Sequence, residues 1–170
     1  MHLIIDGYNL LHASLTLINI SPIQLQWERD RLIQNLSTYR YKKPCEITVV
    51  FDGWRGGGRI EGKERKKGIE IIFSKIGEKA DEVIKRLIKE KGTGAVVVTS
   101  DREVSKYAER ISVAVIQSDQ FQHKMERVNI QNRKEMEMND EEEEKSIKKQ
   151  GPSRRLSKKE KRMRLALKKL

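Results

Sequence analysis

Apolar runs that end on or just before an acid constrain this chain most. Leu3–Ile5 leads into Asp6, Ile47–Phe51 into Asp52, and Ala95–Val98 into Thr99, Ser100 and Asp101. Each run reads as a buried central strand. Ile69–Phe73 and Ser112–Ile116 are two further strand candidates. Helical patterns separate them. Ser21-Pro22 marks a helix start, with serine as cap and proline at the first helical position. That helix is expected to reach about Tyr39, with Leu25, Leu32, Ile33 and Leu36 on its apolar side and Lys43-Pro44 stopping it. A second helix is expected from Glu78 to Glu90, with Ala80, Val83, Ile84, Leu87 and Ile88 on one stripe and Gly92-Thr93-Gly94 ending it. A third spans Arg102–Arg110, with Ser100 as its cap and Glu103 completing a capping box. Strands alternating with helices predict a mainly parallel sheet of about five strands with helices on both faces, a three-layer α/β/α arrangement of Rossmann-like topology.

The remaining segments are less regular. Asn9–Ile20 reads as a loop or an irregular helical turn. Gly53–Gly68 carries six glycines among Arg55, Arg59, Lys63, Arg65, Lys66 and Lys67, so it is expected to be a mobile basic loop. Phe121–Val128 predicts a helix that turns Phe121, Met125 and Val128 inward. Beyond it come an acidic run, Asn139–Glu144, a Gly151-Pro152 break, and a basic stretch, Ser157–Leu170, with a thin apolar stripe. The expected division is a folded domain over 1–130 and a charged extension over 131–170.

Charge is concentrated at the end. The chain carries a formal +11, and Ser146–Leu170 alone holds eleven Lys or Arg against one acid. A basic tail on a nearly neutral body suits a polyanion, and the scarcity of aromatic or large apolar faces favours nucleic acid over a membrane. Arg154, Arg155, Lys158, Lys159, Lys161 and Arg162 are the candidate contacts. No run is long and apolar enough to span a bilayer, and the first residues form a strand instead of a basic leader, so a cytoplasmic location is expected. One cysteine and three scattered histidines argue against structural zinc. Neither G-x-G-x-x-G nor G-x-x-x-x-G-K-[ST] occurs, which disfavours a nucleotide-binding enzyme.

In parallel α/β proteins, ligands collect outside the carboxyl ends of the strands. Asp6, Asp52 and Asp101 follow strands, and Asp81 opens a helix. Acids gathered at one rim repel each other unless a cation holds them, and carboxylate oxygens suit magnesium or manganese. Such an ion can polarise a phosphoryl group and help deprotonate water. Asp6, Asp81 and Asp101 are the candidate ligands. Asp52 and Asn9 sit at the edge of the site, and Ser100 and Thr99 are placed to meet a phosphate or orient a carboxylate. Each has a plainer alternative. Asp-Gly after a strand is a common turn, an early helical acid offsets the helix dipole, and Ser100 with Asp101 can serve only the helix start. His2, His12 and His123 lie outside the acid motifs, so no histidine suits general base work. Substrate would be held by Arg55, Arg59, Lys63, Arg65, Lys66 and Lys67 through phosphates. Tyr8 and Trp54 could stack on an unpaired base, or simply pack over the sheet and close the loop.

Together these residues resemble a known family. D-G-Y-N at Asp6–Asn9, F-D at Phe51-Asp52, A-D-E at Ala80–Glu82 and T-S-D at Thr99–Asp101 look like the NYN/PIN-like nucleases, especially the bacterial YacP-like group. The similarity covers roughly Met1–Gln120. It implies a PIN-like α/β/α fold and acids that bind Mg2+ or Mn2+. It also implies endoribonuclease activity, with some bacterial relatives acting in association with the ribosome. By the same resemblance Asp6, Asp81 and Asp101 correspond to core acids, with Asp52, Asn9 and Ser100 nearby. The preference for RNA over DNA comes from this resemblance alone. The charged extension is not part of the motif set and leaves the oligomeric state and target open. The rival account is a non-catalytic RNA- or ribosome-binding module on the same fold.

Overall fold

The computed structural model describes residues 1–14, 20–53 and 61–148, with side chains described up to Arg133. By its contacts the chain divides into two units, Met1–Asn132 and Arg133–Leu170, and everything below concerns the first. Its elements are β1 (His2–Asp6), α1 (Gly7–Ser14), α2 (Pro22–Lys42), β2 (Glu46–Phe51), β3 (Gly62–Lys66), β4 (Ile69–Phe73), α3 (Ala80–Lys91), β5 (Ala95–Val98), α4 (Arg102–Arg110), β6 (Ala114–Ile116) and the start of α5 (Ser118–Lys148). The six strands form one sheet in the order β3-β4-β2-β1-β5-β6, parallel throughout except for β3.

Side chains alternate across a strand, and the core divides accordingly. Leu3, Ile5, Val49, Phe51, Ile69 and Ile71 face one way and pack with Leu10 and Leu11 of α1, Leu32, Ile33, Leu36 and Tyr39 of α2, and Phe121 and Met125 of α5. Ile4, Val50, Ile72 and Val97 face the other way, onto Ala80, Val83, Ile84, Leu87 and Ile88 of α3 and Val104 and Ala108 of α4. The sheet is therefore covered on both faces, as the continuous apolar runs require. Ser21 caps α2 by a reciprocal capping box with Gln24, and Pro22 occupies the first turn. Among the described residues no helix is long and apolar enough to cross a membrane.

Three expectations need correction. Asn9–Ile20 is not irregular from its start, since α1 begins at Gly7, directly after β1, and continues to Ser14. Gly53–Gly68 is not all loop, since Gly62–Lys66 is a sixth strand, paired antiparallel to β4 as an edge. Its charged side chains suit an exposed edge, where they deter pairing with another chain. Lys67 (φ 53°) and Gly68 (φ 80°) make the two-residue turn between β3 and β4. The expected helix at Phe121–Val128 is only part of α5, which starts at Ser118.

Gly53 is fixed by space. A Cβ there would lie 1.6 Å from the carbonyl oxygen of Ser74. Its N–H donates to Ser74 Oγ at 3.0 Å, and Ser74 N–H donates to the Phe51 carbonyl. The ends of β2 and β4 are thus pinned together beside Asp52. Gly53→Ala is expected to cost about 3 kcal/mol, the upper end of ordinary overpacking, because backbone and not a flexible side chain must give way. Equilibrium urea denaturation would measure it, and a loss within experimental error would show that this junction is slack.

Candidate active site

The winding of the sheet locates the site. From β1 the chain proceeds through β2 to β4 on one side, then returns to place β5 and β6 on the other. The switch point lies between β1 and β5, where ligands collect in open α/β sheets. Ile5 pairs with Val98, so Asp6 at the end of β1 stands level with Thr99 just beyond β5.

Asp6 is 4% exposed. It shares its side of β1 with Ile4, so its carboxylate lies towards α3 and α4. Asn9 holds it twice, by its backbone N–H to Oδ1 at 3.1 Å and by Nδ2–H to Oδ2 at 2.7 Å. This is possible because α1 starts at once and brings Asn9 back over the strand end. Gly7 has to be glycine for the same reason, since a Cβ there would lie 2.3 Å from the Phe51 ring. Thr99 Oγ1–H donates to Asp6 Oδ2 at 3.3 Å and accepts the Asp101 N–H at 3.0 Å. Thr99 is fully buried. It therefore orients Asp6 and does not present its hydroxyl to a phosphate.

Burial first, and then the charge of Asp81, push Asp6 up to about 6, against the pull of its hydrogen bonds. Burial also raises Asp81, followed by the charges of Asp101 and Asp52, with Lys85 opposing and Glu103 adding. Asp81 thus raises Asp6 and is itself raised by Asp101 and Asp52, which links the four acids electrostatically.

Two of these acids also hold helix ends. Asp52 Oδ1 accepts the N–H of Ala80 at 2.7 Å, tying the first turn of α3 to the end of β2. Asp101, not Ser100, caps α4: its Oδ1 accepts the N–H groups of Glu103 and Val104 at 2.7 and 3.0 Å. Ser100 Oγ instead accepts the Ser118 N–H at 3.2 Å, at the start of α5. Glu103 takes no part in a capping box and pairs with Lys85 of α3. Lys85 also pairs with Glu82, and both contacts raise its pKa. It thereby ties α3 to α4 beside Asp81 and Asp101. The sequence signal for this is a lysine four residues after Asp81, on the half-buried edge of the α3 stripe.

Among the described residues, no three His, Cys, Asp or Glu side chains are drawn into a ready metal cage. The close three-aspartate cage expected from the sequence is therefore not formed by the side chains as they stand. Three of the four carboxylates are engaged by N–H or O–H donors instead: Asp6 by Asn9 and Thr99, Asp52 by Ala80, and Asp101 by Glu103 and Val104. The donor chemistry itself suits a hard divalent cation, because every candidate ligand is a carboxylate oxygen and the mutual repulsion favours a positive ion.

The expected phosphate contacts are distributed differently. Lys66 pairs with Ile69 and Gly62 with Phe73, so β3 runs away from the acidic rim. At about 3.3 Å per residue, Lys66 lies roughly 13 Å from the carboxyl end of β4. Lys66 binds Asp30, Lys67 binds Gln34, and Arg65 lines a surface cavity with His2, Glu46 and Glu70 at the opposite end of the sheet. These three are thus not in the rim contact expected of them. Lys63 is exposed, pairs with Glu61 and lines the same cavity as Arg65, so it too is not in the expected rim contact. Tyr8 packs edge-on against Phe51, with ring centroids 5.2 Å apart, in keeping with its packing alternative. Trp54, Arg55 and Arg59, and the tail residues Arg154, Arg155, Lys158, Lys159, Lys161 and Arg162, lie outside the described residues.

Known proteins agree with this architecture. A family model described as the YacP-like NYN domain matches residues 3–165. A Bacillus subtilis (strain 168) protein described as "Uncharacterized protein YacP" is 34% identical over 102 residues, covering 58% of this chain. The match spans 59% of that curated relative's length. The crystal structure of a mutant form of Rae1 (YacP) from Bacillus subtilis superposes with a TM-score of 0.68 at 24% identity, covering 82% of this chain and 84% of that one. A second crystal structure of Rae1 (YacP) from the same organism gives 0.63 at 24% identity, covering 88% and 86%. At that identity the two structures establish the shared fold.

Proposed function

The chain belongs to the YacP-like NYN family, and from that premise we propose that it is a divalent-metal-dependent endoribonuclease, hydrolysing phosphodiester bonds in RNA. The observation that carries this reading is Asp6: a nearly sealed carboxylate at the switch point of the sheet, raised to about 6 and repelled by Asp81. Buried carboxylates with raised pKa values cluster at functional sites.

Asp6, Asp81 and Asp101 are the residues that would hold Mg2+ or Mn2+. When bound, the cation supplies Lewis acidity towards the phosphoryl group and offsets charge on the leaving oxygen. The protein's own part is positioning. Asn9 and Thr99 fix both oxygens of Asp6. Asp52 anchors the start of α3 and so sets where Asp81 stands. Lys85 ties α3 to α4. Single-stranded or loop RNA is the proposed substrate, in the cytoplasm, with the basic tail as a further anchor for structured or ribosomal RNA.

A second reading, a non-catalytic RNA-binding module, draws on the lack of a ready three-ligand metal group among the described residues. Matched RNA and DNA, single- and double-stranded, assayed with magnesium and with manganese, separate the two. The nuclease reading expects cation-dependent cleavage of RNA. It also expects manganese at about 100 times its Kd to add about 2.7 kcal/mol of stability, seen as a raised Tm. RNA binding with neither cleavage nor a cation-induced Tm shift would favour the module.

A further inference from the structure

The inward stripe of α2 is interrupted by a charge. Leu25, Leu32, Ile33, Leu36 and Tyr39 are buried, and so is Arg29, at 7% exposure, on the rung between Leu25 and Leu32. A buried guanidinium ordinarily has a carboxylate partner. Among the described residues this one has none: the flanking Glu28 pairs with Arg31, and Asp30 pairs with Lys66. Neither 15–19 nor 54–60, the stretches of this unit outside the described residues, contains an acid. Among the described residues, Arg29 Nε is buried and has no hydrogen-bond partner.

What holds Arg29 is aromatic. Its Cζ lies 6.0 Å from the centre of the Phe51 ring and 5.7 Å from that of Phe73, and the two rings are stacked 5.7 Å apart. Phe51 and Phe73 are the last residues of β2 and β4. They put the guanidinium at the carboxyl rim of the sheet, on the α1–α2 face, opposite the face that carries α3. The Phe51 ring also lies against Gly7, the residue after Asp6. Arg29 is thus a fixed cation beside the acidic rim, and its Nε–H has no hydrogen-bond partner among the described residues.

We infer that Arg29 binds a phosphate of the substrate flanking the one that is cut, from the face of the sheet opposite Asp81. The inference rests on the nuclease reading above. Arginine suits this role because its planar fork matches two phosphate oxygens and stacking holds its orientation. The contact reads no base and would set the register of the strand across the acids.

The test uses the full chain carrying Asp6→Asn, so that RNA is bound but not cut, and a single-stranded oligoribonucleotide. Arg29→Met keeps the stem and removes the fork. Its Tm is expected to be unchanged or higher, because an unpaired charge is gone. RNA affinity is expected to fall about tenfold, and the slope of log K against log salt to become shallower by about 0.7, the value for one lost phosphate contact on a single strand. Arg29→Lys should restore the slope but not the full affinity. In the parent, RNA should shift the Arg29 Nε–Hε resonance, a readout that does not depend on either variant folding. Unchanged affinity and slope in Arg29→Met, or no resonance shift, would overturn the inference while leaving the nuclease reading intact. A parent that binds no RNA, in a protein that also shows no cation-dependent cleavage, would overturn both.

Discussion

Asp6→Asn is expected to stabilise the metal-free protein at pH 7.5 while lowering RNA cleavage by more than about 100-fold. Losing a group that merely supports a metal ligand already costs about 10- to 100-fold, and Asp6 is itself a proposed ligand. The stability estimate follows from burial. The carboxyl titrates near 3.8 when free and near 6 in the fold. The folded state therefore prefers the protonated form. Its stabilising contribution is complete below about 4 and is lost as pH rises through about 6. At pH 7.5 the ionised group costs about 3 kcal/mol relative to the protonated one. Asparagine removes that cost. Asn9 can turn its amide to meet the new NH2, and only the long bond from Thr99, 3.3 Å, is forfeited. A net gain of about 1–2 kcal/mol remains, which is a few degrees in Tm for a chain of this size. The gain should vanish near pH 4, where the native carboxyl is already protonated. Manganese should raise the Tm of the wild type and not of the variant. A variant less stable than wild type at pH 7.5 would show that Asp6 serves the fold and not a cation.

Much of this geometry is legible in the sequence because parallel sheets buried on both faces leave an unambiguous trace. Ile69–Phe73, Ala95–Val98 and Arg102–Arg110 fall where periodicity places them. The edge strand leaves no such trace. Gly62–Lys66 is all glycine and charge, and it pairs through backbone alone, so side-chain pattern carries no record of it beyond the Lys67-Gly68 turn. The start of α1 is hidden by Asp-Gly, which reads as a turn. There the glycine instead clears room for Phe51, a contact 44 residues away in sequence. Arg29 escapes notice for the opposite reason. Its neighbours on the stripe read as apolar positions, and a charged residue between them is easily passed over, although the break in the stripe is itself the signal. The cap of α4 is displaced by one residue from its expected place: Ser100 and Asp101 are equally good cap formers, and only the hydroxyl's capture by the Ser118 N–H decides between them.

That ambiguity makes Asp101 the residue where structure and chemistry can be separated most cleanly. Its Oδ1 already accepts two N–H groups of α4, and its charge also bears on Asp81. Asparagine caps helices about as well as aspartate, whereas alanine does not. Asp101→Ala is therefore expected to cost about 1 kcal/mol of stability and Asp101→Asn close to nothing. If Asp101 serves only as a cap, cleavage should survive in the asparagine variant. If it is a cation ligand, both variants should lose RNA cleavage by more than about 100-fold, since a neutral amide neither attracts a divalent ion nor restores the charge of the site. Relief of Asp81 gives an independent readout. With one like charge removed, its carboxyl should titrate lower in Asp101→Asn than in the wild type, which side-chain carboxyl NMR resolves directly. A cleaving Asp101→Asn protein with normal Tm would remove this residue from the chemistry and leave it holding the end of α4.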